Sequence, residues 1–153
     1  MKDIPLSEIT LRKYEKPSNL EERELIRKIC LSLGLLQLAD SRDVIVDILL
    51  TLTQANKNKQ SLSSEEIKTK VEESRKKYSL ETKGLAESNI RRQLKRLRDA
   101  MLIEKTNNKY HLTENLPLSE IFTNNIERFI IPQIIERIKE YLDELNKDKT
   151  PQQ

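Results

Sequence analysis

The chain has 153 residues, enough for one domain with an appended element, and its 36% apolar content supports a modest core. Charged residues make up 35%, aromatics 4%, with no Trp and two Gly. That points to a mainly α fold, because sheets and tight catalytic loops draw on aromatics and glycine. A net charge of +3 is too small to mark a nucleic-acid binder by itself, so the placement of charge carries more weight.

No apolar run approaches the ~20 residues that cross a bilayer, and the start "MKDIPLSEI" lacks the apolar core of a signal peptide. A cytoplasmic protein with no membrane partner is expected. Residues 1–19 hold Pro5 and Pro17 and little periodicity, which suggests an extended arm whose basic "LRKYEK" can touch a partner. From 20 to 33, Leu25, Ile26, Ile29, Cys30 and Leu33 mark one helical face, and Gly34 stands where a helix ends in a left-handed residue. The single cysteine, Cys30, forms no internal disulfide and reads as a small core hydrophobe.

Asp40 or Ser41 can cap a second helix with the stripe Val44, Ile45, Ile48, Leu49 and Leu52, which "QANKNKQ" ends. Ser63 and Glu66 have the spacing of a reciprocal capping box for a third helix, with Ile67, Val71 and Tyr78 facing inward. After "SLETKGLAE", Ile90, Leu94 and Leu97 recur as the buried side of a basic helix. Steps of about 100° per residue put Ser88, Arg92, Lys95, Arg96 and Asp99 opposite that stripe, with Arg91 and Arg98 flanking. From Ser88 to Ala100 the balance is +4, whereas from Glu114 to Leu145 it is −4. One basic element therefore sits in a neutral to acidic chain. Beyond it, Ile103 and Lys105 alternate against Tyr110 and Leu112 around Asn107-Asn108, two residues that tolerate the positive φ of a tight hairpin.

Helix, helix, basic helix and hairpin in this order resemble the winged helix-turn-helix, and residues 43–113 carry the resemblance, above all "NIRRQLKRLRDAMLIEK…KYHLT". The whole chain, with "SEITLRKYEKP" and "LGLLQLADSRDVIVDILL", is similar to a group of archaeal proteins described as predicted winged-helix transcriptional regulators. Met101 stands where such families usually carry Gly, and the link between the two inner helices exceeds the tight turn of the motif. The resemblance implies a mainly α fold with a two-stranded wing and a recognition helix, about 87–100, in the major groove of double-stranded DNA. On that reading Arg92 is the base reader, since a guanidinium bonds guanine in a fork, and Asn89 can read adenine. Arg91, Lys95 and Arg96 hold phosphates, Ser88 adds a contact at the helix N-terminus, and Lys105 and Lys109 come from the wing.

In the last segment Ile131, Ile134, Ile138, Tyr141 and Leu145 are spaced as the seam of a coiled coil, widened by Ile135 and Leu142. Pro132 can open a new helix or kink a continuous one. A homodimer through this C-terminal helix is expected, with packing on its own domain as the alternative. The organisation is thus an arm and helix at 1–40, a DNA-binding domain at 41–115, a dimerisation helix at 116–147 and a disordered tail at 148–153.

Enzymatic chemistry needs a nucleophile with its base, a metal cluster or a phosphate-cradling loop. His111 is the single histidine and lies in the hairpin as a strand residue or minor phosphate contact, and Gly34 and Gly84 are isolated. Glu65-Glu66 and Glu72-Glu73 are solubilising charge beside lysines. A non-enzyme without cofactor or metal is expected, and no small-molecule effector is assigned. Three classes then fit: a sequence-specific DNA-binding regulator acting as a dimer, a winged-helix interaction module of transcription or replication machinery, and an architectural DNA-binding protein. The basic helix, hairpin and apolar tail together favour the first.

Overall fold

The computed structural model describes residues 3–37 and 42–147. The capping residues expected at Asp40 or Ser41 and the tail at 148–153 lie outside them. The protein is mainly helical, with one small antiparallel sheet. Helix α1 (Glu22–Ser32) buries Ile26, Cys30 and Leu31, while Leu25 and Ile29 stay partly exposed, so its fully buried face is narrower than the periodicity predicts. Burial pushes the Cys30 thiol up to about 12, which makes it an inert core group.

Helix α1 closes on Gly34 at φ +70, with Leu35 N–H donating to Cys30 O (2.8 Å) and Gly34 N–H to Leu31 O (3.2 Å). A Cβ there would lie 2.5 Å from Cβ of Thr10, because the arm crosses the chain at this point. The arm is extended, as expected, and lies along α1. Arg12 N–H donates to Ser32 O, its guanidinium to Gln37, Glu15 pairs with Lys28, and Lys28 sits over the Tyr14 ring.

Helix α2 (Val44–Asn56) is the centre of the fold. It packs against α1, α3, α4 and the hairpin, so every residue from Val44 to Leu52 is buried rather than a single stripe. Asp47 is fully buried among these apolar residues. Arg23 of α1 donates to it at 3.0 and 3.1 Å, and Arg75 of α3 at 2.6 Å. Asp43, just before α2, joins the same cluster through Arg23 (2.9 Å) and Arg75 (2.8 Å). Its carboxylate therefore answers these arginines and makes no capping bond. Buried charges survive only when paired and hydrogen-bonded, and here two acids and two arginines lock three helices together.

Strand β1 (Leu62–Ser63) leads into α3 (Ser64–Lys77), where the capping box forms as predicted: Glu66 N–H donates to Ser63 Oγ and Ser63 N–H to the Glu66 carboxylate, both at 3.2 Å. Ile67 and Val71 face inward, but the next inward position is Arg75; Tyr78 lies past the helix end and is exposed. Helix α4 (Glu87–Asp99) follows after residues 78–86, a connection longer than a tight turn. Strands β2 (Ile103–Thr106) and β3 (Lys109–Leu112) pair Ile103 with Leu112 and Lys105 with Tyr110, and Asn107 and Asn108 take φ of 52 and 62. Their register is the one the alternation predicts. The sheet is not two-stranded, however: Leu62 and Ser63 pair with Tyr110 and Lys109, giving the order β1-β3-β2.

The C-terminal segment is one continuous run: α5 (Leu118–Ile121), a π-helical stretch (Phe122–Ile130) and α6 (Ile131–Asn146). Ile121 and Ile126 are both buried, a five-residue spacing that suits the wide π turn, whereas α geometry would set them roughly 140° apart around the helix. Pro132 sits in the first turn of α6, directly after the π-helical stretch. The run continues through Pro132 instead of breaking there. No helix among the described residues is long and apolar enough to cross a membrane.

Candidate nucleic-acid interface

Helix α4 is oriented by its apolar side: Ile90, Leu94 and Leu97 are buried against α2 and α3. Its end is held by a Schellman closure, with Leu102 N–H on Leu97 O (3.1 Å) and Met101 N–H on Arg98 O (2.9 Å). Met101 occupies the left-handed position at φ +62, the strained conformation its sequence position implies. Its carbonyl accepts from Thr113 Oγ1 (3.0 Å) and Asn125 Nδ2 (2.8 Å), so the same residue joins α4 to the hairpin and to the π-helical stretch.

Ser88, Arg91, Arg92, Lys95 and Arg98 are exposed on α4. Arg91, Lys95, Arg98 and Asp99 of α4 border an open cleft that is also lined by Lys105, Asn108 and Tyr110 of the hairpin and by Ser63, Ser64 and Glu65 at the start of α3. The Lys105 ammonium lies 5.6 Å from the centre of the Tyr110 ring, which supports its stem while the charge stays at the cleft. Arg98 was not among the predicted contacts. It flanks the apolar stripe on the side where the hairpin folds back, and only the packed hairpin turns that flank into a cleft wall.

Comparison of the chain with protein-family models, characterised proteins and solved structures returns no match. The site is therefore read from its own geometry.

The opposite flank of α4 carries a chain of hydrogen bonds. Asn89 Nδ2 donates to Gly84 O (2.7 Å), Asn89 Oδ1 accepts from Arg92 (3.0 Å) and Gln93 (3.1 Å), and Arg96 donates to Gln93 (2.9 Å). Asn89 thus anchors the first turn of α4 and steadies Arg92, with both ends of its amide engaged. Arg96 is half-buried and borders a hollow with Thr10, Gly34 and Ile126, away from the Arg91 and Lys95 cleft. Lys109 is exposed but pairs across the sheet with Ser63. The Glu66 carboxyl there titrates below its usual range, held first by the Ser63 backbone and hydroxyl bonds, with Lys109 adding a smaller attraction.

Acidic neighbours moderate the basic face: Lys95 pairs with Asp99 at 3.0 Å and Arg91 with Glu87 at 3.9 Å, both exposed. Exposed pairs of this kind contribute little and yield readily to a better anion. His111 is a buried strand residue: Nδ1 lies 2.8 Å from Leu112 O and Nε2 3.4 Å from Thr106 Oγ1. Among the described residues no group of three or more His, Cys, Asp or Glu side chains is arranged to hold a metal ion.

Proposed function

We propose that this protein is a sequence-specific double-stranded DNA-binding regulator of winged helix-turn-helix type, acting as a dimer. Helix α4 enters the major groove and the β2–β3 hairpin serves as the wing on the adjacent backbone. The observation that carries this reading is the cleft in which Arg91, Lys95 and Arg98 of α4 face Lys105 of the hairpin, with Arg92 exposed beside it. A cleft between a helix and a ribbon in which Arg91, Lys95, Arg98 and Lys105 outnumber Glu65 and Asp99 suits a phosphodiester strand, while Arg92, opposite the buried stripe, suits a base edge. The order α2, β1, α3, α4, β2, β3, with β1 closing the sheet, supports the same reading.

Selection of bound sequences from random duplex DNA tests the proposal, followed by binding of Arg92→Ala and Lys105→Ala to the selected and a scrambled duplex across salt concentrations. Loss of a bidentate base contact should cost ~1–3 kcal/mol at one position, whereas loss of a phosphate contact should weaken all sequences alike and lower the salt slope by about 1. If no duplex is retained, the assignment passes to a protein-interaction module. Retention without an enriched site would make it an architectural DNA-binding protein.

A further inference from the structure

The C-terminal run changes character at Ile134. Ile121, Ile126 and Ile130 are buried and Ile131 and Ile134 pack on the core, but Ile135, Ile138, Tyr141, Leu142 and Leu145 are 47, 53, 71, 51 and 73% exposed. These five share one side of α6, and none of them is among the side chains packed on the core. The nearby arm does not close this face. Residues Ile4 to Ser7 border a hollow with Ile134, Ile138 and Tyr141, yet Ile4 and Leu6 remain largely exposed and enlarge the apolar patch. A continuous patch of this kind marks an interaction surface rather than a solvated one.

We propose that this surface is covered by α6 of a second copy in antiparallel orientation. The seam Ile131, Ile134, Ile138, Tyr141, Leu145 has the 3, 4, 3, 4 spacing of two packed helices. On one flank lie Ile135 and Leu142, seven residues apart; on the other lie Arg137 and Glu144, also seven apart and of opposite sign. In a parallel pair unlike flanks face each other, so Arg137 would be set against apolar side chains. In an antiparallel pair each flank meets its own kind. Ile135 then faces Leu142 of the partner subunit, and Arg137 faces Glu144 of the partner subunit, each contact occurring twice by symmetry. The same register stacks Ile138 on Tyr141 of the partner subunit and Ile134 on Leu145 of the partner subunit. Within one chain Arg137 lies 3.4 Å from Glu140 and Lys147 2.9 Å from Glu144. These exposed pairs are weak enough to rearrange.

This inference deepens the dimeric part of the function proposed above and rests on that part alone. The test is sedimentation equilibrium of the full chain without DNA. Wild type should be a dimer, and Leu142→Glu a monomer whose unfolding transition matches that of wild type diluted to the monomer. Arg137→Glu and Glu144→Arg should each weaken the dimer by roughly tenfold as two attractive pairs become repulsive, and the double variant should recover most of the loss. Leu145→Cys should fail to cross-link to itself, because antiparallel helices hold the two copies of residue 145 about 16 Å apart at 1.5 Å per residue. A monomeric wild type, a dimeric Leu142→Glu, a double variant no better than the singles, or efficient self-cross-linking at residue 145 would each overturn it. A monomer that still retains the selected duplex defeats this inference and the dimeric part of the proposed function but leaves the DNA reading; a dimer obeying the charge exchange without retaining DNA defeats only the DNA reading.

Discussion

Helices α4 and α6 carry the same kind of pattern and meet opposite fates. The apolar side of α4, Ile90, Leu94 and Leu97, is at most 1% exposed, whereas Ile135 and its neighbours on α6 are about half exposed or more. An amphipathic helix declares that one side needs cover, not what supplies it. For α4 the cover is built in, because α2, α3 and β2 lie on it. Its polar side is thereby presented to solvent in a fixed orientation. The far half of α6 runs past the edge of the core, so there it is the apolar side that is presented. A cationic surface and an apolar surface thus result from which side of each amphipathic helix the core covers, on top of the different charge the two helices carry.

The sharpest way to break this comparison is to loosen the frame behind α4. Asp47→Ala leaves Arg23 and Arg75 buried without their main acceptor and should cost about 3–5 kcal/mol, read by chemical denaturation. On α6 nothing equivalent exists, and Glu140→Ala should stay within ~0.5 kcal/mol. A mild effect at Asp47 would mean that water or rearrangement serves the two arginines.

Next in size, Leu94→Ala should cost about 2–5 kcal/mol through lost transfer energy and a cavity. Leu142→Ala, measured at dilutions where the chain is monomeric, should change unfolding by no more than ~0.5 kcal/mol. Equal costs at the two positions would show that α6 packs on its own domain in solution.

A smaller effect should follow pH. Burial works against the charge of Asp43, but the bonds from Arg23 and then Arg75 outweigh it and hold the carboxyl below its ordinary value. A depressed carboxyl contributes fully above its unfolded value of ~3.9 and progressively less as pH falls below it. Unfolding midpoints should therefore drop below about pH 4, with a shallower drop for Asp43→Asn; identical profiles would remove Asp43 from the account.

The smallest effect concerns the end of α4. Met101→Gly relieves a left-handed residue at φ +62 but frees the unfolded chain, so a net gain of roughly 1 kcal/mol or less is expected. A loss in thermal unfolding would show that the Met101 side chain contributes more than its backbone strain removes.

Local chemistry was legible in the sequence. The Ser63–Glu66 box, the Asn107-Asn108 turn, the hairpin register, the buried stripe of α4 and the extended arm each depend on residues a few positions apart, or on a period that repeats along the chain. A lone acid inside "VIVDILL" was a readable sign that Asp47 needs partners, but Arg23 and Arg75 lie 24 and 28 residues away, and charge composition does not match one to the other. Strand β1 is two residues long and exists because β3 offers it a free edge. Likewise, Ser88, Arg91, Arg92 and Lys95 were placed in solvent by helical period alone, whereas the half-burial of Arg96 and the cleft position of Arg98 depend on which flank faces the arm and which the hairpin. The sequence by itself therefore determined the elements, their caps and the side each helix must hide. The tertiary structure decided which charges were taken inside, which basic side chains share a cleft, and where the core ran out beneath α6, because those outcomes depend on contacts between residues that no local period connects.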